Sequence, residues 1–343
     1  MRVSKRGIGR AAALTFGAYA LAYGLVPGAG LAEDKTYVMK ISTSTLNDTP
    51  HIVCKNLAAA IERDSGGRIK VEVYPASQLG PIPRTIEGVQ FGAIQAVVLP
   101  PEFFVGIDQR FEVLAAPGLT SSIEQGQRMA ADPAVRKLIL GLGAEKGLHG
   151  AGLYIAQYQN VVSRTPIRRL ADFRGKKIRI LASDFQSEAL KRLGATPVAM
   201  TLGDVLPALQ QGAIDGSLIG PTVMVNLHMG DAAKYVTMIN QPAIFIVIEV
   251  SRSWYNALPK DLQEIVDRDA EAVSVAINPV AVETNAAGEK AWADHGGELV
   301  RLPPDEQAEM LKILGSVGDD VSKSKPAVAE AYKLVKEAAA RAQ

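Results

Sequence analysis

Gly88-Val89-Gln90-Phe91-Gly92-Ala93-Ile94 (GVQFGAI) and Ala208-Leu209-Gln210-Gln211-Gly212-Ala213-Ile214 (ALQQGAI) are two copies of one junction. Each reads as the last turn of a helix, a glycine able to adopt the left-handed conformation that ends it, and the start of an apolar strand. Five of the seven positions are identical or similarly apolar. Helix-Gly-strand junctions recur in α/β proteins generally. The alternative is two similarly built α/β domains facing each other, an architecture that leaves a cleft and commonly closes around a ligand by a hinge.

The surroundings of both junctions follow the same order. Before the first, Tyr37–Ser42 reads as a strand, Pro50–Ser65 as a helix stopped by Gly66 and Gly67, and Arg68–Tyr74 (RIKVEVY) as a strand of period two. A helix over Arg84–Phe91 and an apolar strand over Ile94–Leu99 follow, ended by Pro100 and Pro101. Before the second, Gly175–Ile180 (GKKIRI) is a basic-apolar strand, Asp184–Leu193 a helix and Thr196–Met200 a strand. Pro242–Val250 (PAIFIVIEV) is the most apolar stretch, and nine residues rich in Ile and Val predict a buried strand. From Leu258 to about His295 the pattern is helical, with Pro279 as a kink, and helices over Pro304–Leu314 and Pro326–Ala340 end the chain.

The chain has 343 residues, 48% of them hydrophobic and 21% charged, a composition that excludes disorder and collagen and has room for two cores. Thirty-seven Lys plus Arg against 36 Asp plus Glu offer no basic excess for nucleic acid. Arg2, Lys5, Arg6 and Arg10, then the apolar run Ala11–Val26, then small residues to Ala32 predict a signal peptide over residues 1–32. Its removal leaves 33 basic and 36 acidic residues, a formal net charge of −3. No later segment is long and apolar enough to span a bilayer, so the expectation is an exported protein without membrane insertion after cleavage.

Catalytic signatures are sparse. There is no G-x-S-x-G, P-loop or H-E-x-x-H motif, and GLGAEKG (Gly141–Gly147) misses the dinucleotide spacing by one residue. The single Cys54 and the scattered His51, His149, His228 and His295 make no zinc-ligand set, so no cofactor or metal is expected. Arg179 is the exception. In GKKIRIL it shares a strand face with Lys177 and Leu181, opposite Ile178 and Ile180, near the C-terminal end of its strand where open α/β sheets bind ligands. It reads either as a solvated base, like Lys176 and Lys177, or as a planar fork for a carboxylate.

Four motifs tip that balance: GRIKVEVYPASQLG (Gly67–Gly80), TIEGVQFGAIQ (Thr85–Gln95), LADFRGKKIRI (Leu170–Ile180) and LGATPVAMTLGDVLPALQQGAIDG (Leu193–Gly216). In order and spacing the chain resembles the DctP-type substrate-binding proteins of tripartite ATP-independent periplasmic (TRAP) transporters. The resemblance implies an α/β, two-domain periplasmic binding protein fold with a central cleft, hinge strands and a long domain-bridging helix. It implies residues 33–156 plus 244–283 as domain one and 157–243 plus 284–343 as domain two. It further implies a periplasmic protein that is not an enzyme and delivers a small-molecule carboxylate to the membrane subunits of a TRAP permease, with Arg179 as the carboxylate anchor.

Departures from the sialic-acid-binding members shape the ligand expectation. Their second arginine falls on Gln159 here, and polar positions fall on Pro100, Ile219 and Ile246. Ser44, Tyr154 and Tyr158 remain as polar candidates, so the expected ligand is a monocarboxylate with an apolar or aromatic body. Two competing readings are a secreted α/β enzyme acting on a small carboxylate and a periplasmic ligand sensor subunit.

Overall fold

Apolar residues at a period of two, or in short unbroken runs, place the strands. The computed structural model describes Lys35–Gln343, and the expected signal peptide lies outside the described residues. The first strands are β1 (Tyr37–Ser42), β2 (Ile69–Tyr74), β3 (Ala96–Leu99) and β4 (Leu148–Tyr158). The middle of the chain supplies β5 (Asn160–Ser163), β6 (Lys177–Ile180), β7 (Thr196–Ala199), β8 (Gly216–Ile219) and β9 (Tyr235–Thr237). Then come β10 (Ala243–Ser251) and β11 (Glu298–Val300).

These strands form two sheets of the same plan. One has the order β2-β1-β3-β10-β4 and the other β7-β6-β8-β5-β9-β11. In both, the first three strands are parallel and the next is antiparallel to them. The repeated junctions match in backbone detail. Gly92 and Gly212 have φ of 80° and 71°, and the amides of Ile94 and Ile214 donate back to the carbonyls of Gly88 and Ala208 at 3.0 and 3.4 Å. Each junction therefore feeds a central strand, β3 or β8, and the two-domain α/β fold expected from the duplication is observed.

The sheets exchange strands. β4 leaves the first sheet and continues as β5 in the second, while β10 returns from the second to lie between β3 and β4. Every residue of β10 is buried, as its composition predicts. Ile244, Ile246 and Ile248 pack under the helices Thr49–Asp64 and Lys260–Ala276, whereas Phe245 and Val247 join a second core with Phe104 and Phe111. At the crossing the Gln159 amide donates to the Pro242 carbonyl and the Gln241 amide to the Gln159 carbonyl, both at 3.0 Å.

The helical segment after Leu258 is two helices, Lys260–Ala276 and Asn278–Asp294, rather than one kinked rod. Pro279 has no amide to donate and its ring crowds the preceding turn, so the ladder stops at Ile277 and starts again. The second of these helices bridges the sheets: Asn285 Nδ2 donates to the Ala156 carbonyl of β4 at 3.0 Å, and the Thr284 carbonyl accepts from Thr222 Oγ1, just beyond β8, at 2.9 Å. The terminal helix Pro326–Arg341 packs back on the first half of the chain. Gln125 Nε2 bonds the Ala339 carbonyl at 2.9 Å and Arg128 Nε the Ala342 carbonyl at 2.7 Å. Among the described residues no helix is long and apolar enough to cross a membrane.

Candidate functional site

The parallel strands of both sheets point their C-terminal ends at one cleft, where open α/β sheets carry their ligands. From the first sheet come Thr43, Ser44 and Asp48 after β1, Pro100 and Phe103 after β3, and Gln157 on β4. From the second come Arg179 and Leu181 at the end of β6, and Ile219 and Gly220 at the end of β8. Gln159 and Ile246 lie at the crossing strands. The cavity they line is about 60 Å³, room for about two water molecules at roughly 30 Å³ each.

Period two on β6 sends Ile178 and Ile180 into the core with Phe173 and Phe185 and turns Arg179 toward the cavity. Arg179 is 2% exposed. Its Nε donates to the Met200 carbonyl at 3.0 Å and its Nη1 to the Leu218 carbonyl at 3.4 Å. Burial lowers its pKa to about 10, partly opposed by the field of Glu102, so it is charged at neutral pH. Glu102, next to the cavity residue Phe103, is itself fully buried. Burial pushes its carboxyl up to about 8, helped by nearby Glu112 and resisted by Arg179, and neither of its oxygens has a hydrogen-bond partner among the described residues. At neutral pH Glu102 is mostly protonated, so it does not neutralise the arginine.

Gln159, at the position of the second arginine of sialic-acid-binding proteins, is held by neutral groups. Its Oε1 accepts from Gln186 Nε2 at 3.1 Å and its Nε2 donates to the Leu218 carbonyl at 3.4 Å, the oxygen that Arg179 also uses. Pro100, Ile219, Ile246 and half-buried Ser44 line the same cavity.

Two of the tyrosines singled out in the sequence lie elsewhere. Tyr158 faces a separate surface cleft with Asn160 and Asn240, its hydroxyl 2.8 Å from Thr120 Oγ1. Tyr154 is buried in the core beneath the helix Thr49–Asp64. Parity along the strand explains Tyr158: residues 157 and 159 share a face, so Gln157 enters the cavity and Tyr158 turns away. Applying the same period from Gln159 would have found Gln157. No such pattern marks Asp48, which caps the helix Thr49–Asp64 by accepting from the His51 amide at 3.2 Å and is nevertheless 3% exposed. Gly220, after β8, lies against Gln157 of β4. A Cβ there would fall 1.9 Å from the Gln157 amide.

A larger cavity of about 520 Å³ lies between Met224–Lys234 and Trp292–Gly297. Its titratable lining groups, His228, Asp231, Lys234 and His295, are exposed, whereas those lining the Arg179 cavity, Arg179 and Asp48, are buried. Among the described residues no group of three His, Cys, Asp or Glu side chains could hold a metal ion.

Two α/β domains with hinge strands crossing beside a buried cationic cleft define the class of two-domain solute-binding proteins. Residues 42–324 match the profile of DctP, the bacterial extracellular solute-binding protein family 7, and the chain belongs to that family. It is 30% identical over 293 residues to the C4-dicarboxylate-binding periplasmic protein DctP of Rhodobacter capsulatus, covering 83% of this chain and 86% of that one. Among solved structures it resembles a TRAP periplasmic solute-binding protein from Desulfovibrio salexigens with bound orotic acid, at a TM-score of 0.84 and 21% identity, covering 90% of this chain and 100% of that one. Another, from Shewanella oneidensis with bound succinate, has a TM-score of 0.81 at 21% identity, covering 88% and 99%. The protein is thus a DctP-type solute-binding protein of the TRAP class, extracytoplasmic and periplasmic in location.

Proposed function

We propose that this protein captures an organic acid, a monocarboxylate with an apolar or aromatic body, and passes it unchanged to the membrane subunits of a TRAP permease. The observation that carries this reading is Arg179, a buried cation held among the described residues by two neutral carbonyls and facing the cavity. A buried charge without a partner is costly, and a carboxylate entering beside it supplies that partner. Apolar walls from Phe103, Leu181, Ile219, Val223, Ile244 and Ile246 suit an apolar body. The named ligands of the similar structures, orotic acid and succinate, both carry carboxylates.

In this reading Arg179 grips the carboxylate, Gln159 and Gln157 position it, and closure of the two lobes excludes water. The test is a thermal-shift screen of carboxylates followed by mass spectrometry of the recovered ligand. A binding protein is stabilised by RT ln(1 + [L]/Kd), rising with free ligand, and returns the acid chemically intact. Conversion of the acid during incubation would favour an enzyme instead.

A further inference from the structure

The Arg179 cavity holds a second buried charge. Asp48, in the loop after β1 on the wall opposite β6, lines it with Thr43 and Ser44 and is 3% exposed. Among the described residues Asp48 makes no ion pair, and Arg179 is not among the groups whose charge acts on it. Its polar neighbours His51, Cys54 and Tyr154 are uncharged: burial lowers the histidine pKa and raises those of the thiol and the phenol. Burial also raises Asp48 itself, to about 6, against the Thr45 hydroxyl and the hydrogen bond from the His51 amide, so the carboxylate is mostly ionised at neutral pH. Beside it Thr43 is 2% exposed and its hydroxyl has no hydrogen-bond partner among the described residues.

We propose that Asp48 sets the chemistry of the far end of the ligand: a hydrogen-bond donor, hydroxyl or ammonium, opposite the carboxylate held by Arg179, and not a second carboxylate. The inference rests on the Arg179 reading and extends it. One cavity presents an unpaired cation on one wall and an unpaired anion on the other, and a ligand of matching polarity satisfies both. An α,ω-dicarboxylate would place its second charge against Asp48. It would find no amide donor there, since Asp48 already occupies the N-terminus of the helix Thr49–Asp64.

Calorimetry at neutral pH on two matched probe sets tests this: butyrate, γ-hydroxybutyrate, γ-aminobutyrate and succinate, and hexanoate, ε-hydroxycaproate, ε-aminocaproate and adipate. In the wild type at least one donor-bearing acid should bind about tenfold or more tighter than its plain counterpart, and the dicarboxylate should bind more weakly than the plain acid. Asp48→Asn keeps a competent helix cap. It should cost an ammonium-bearing acid about tenfold, cost a hydroxy acid less, and improve the dicarboxylate, a gain that misfolding cannot produce. Thr43→Val should weaken the donor-bearing acids selectively. Tighter binding of the dicarboxylates than of the plain acids in the wild type overturns the inference, as does no advantage for any donor-bearing acid or an unchanged ranking in Asp48→Asn. If Arg179→Met abolishes binding while Asp48→Asn leaves the ranking unchanged, only this inference fails. If Arg179→Met binds like the wild type, the anchor reading itself fails.

Discussion

Arg179 is tethered through Nε and Nη1 to the carbonyls of Met200 and Leu218, which fixes the plane of the guanidinium and leaves Nη2 without a protein partner among the described residues. A carboxylate can therefore meet a preorganised edge rather than a mobile side chain. Arg179→Lys keeps the charge but loses the fork and the Leu218 tether, and should weaken binding substantially; Arg179→Met should weaken it further. Leaving a buried carboxylate unpaired costs on the order of 2 to 5 kcal/mol, roughly thirty to several thousand fold in Kd. Lys176→Met, at a half-buried lysine bonded to Thr165 and outside the cavity lining, should change affinity little in the same calorimetric comparison. Glu102 gives a pH signature. Its folded pKa of about 8 lies above the ordinary 4.5, so the folded state holds this proton more tightly than the unfolded chain does. The resulting stabilisation is complete below about pH 4.5 and is lost as pH rises through about 8. Glu249, buried and also raised, acts in the same direction. Glu102→Gln should flatten, not abolish, the decline in melting temperature between these limits. An unchanged slope would show that Glu102 is not protonated in the folded protein.

At the scale of elements, most of the fold was legible because each strand carries its own signal. The alternating RIKVEVY gives β2, the unbroken PAIFIVIEV gives β10, and the duplicated GVQFGAI and ALQQGAI give the entries to β3 and β8. The site was only partly legible. Arg179 shows itself by charge on an otherwise apolar strand, whereas Asp48 looks like any helix cap until its burial is seen. The attachment of the terminal helix to the first half was also hidden, because an apolar stripe such as Val328, Ala331 and Val335 does not name the surface it will cover. The bridging helix Asn278–Asp294 offers a sharper test. Gly288 sits where a Cβ would lie 2.7 Å from the Thr222 amide nitrogen and 3.0 Å from the Pro221 carbonyl carbon. In an unencumbered helix Gly→Ala stabilises by roughly 0.5–1 kcal/mol. Here overpacking against rigid backbone, about 1–3 kcal/mol, should win. Gly288→Ala should therefore lower the denaturant midpoint, and a rise would mean that the contact yields at little cost.

For the whole molecule the decisive quantity is the cavity volume. About 60 Å³ around Arg179 is far below the roughly 300–1,000 Å³ of typical small-molecule sites, so an organic acid can enter only if the walls separate. The connections allow this. We propose that residues 36–156 with 244–283 form one moving body and 157–243 with 284–343 the other, except that the terminal helix, bonded to Gln125 and Arg128, travels with the first. Between them run the strands paired at Gln159 and Gln241, short segments in which small changes of backbone angle add up to a rotation, and the helix Asn278–Asp294, which crosses from the first body to the second at residues 283–284. Gly220 permits the closed limit, since its missing Cβ is the space that the Gln157 amide occupies. Ligand-free protein in solution should therefore have a radius of gyration above the ~20 Å expected of a compact chain of this length. Saturating ligand should bring it down toward that value in small-angle scattering. Gly220→Ala, which pushes the Gln157 amide aside, should reduce the contraction and weaken binding while leaving the melting temperature of the free protein nearly unchanged. An equal radius with and without a bound acid would mean that the lobes do not move as bodies, and that the acid enters by local displacement of Phe103 and Leu202 at the cavity wall.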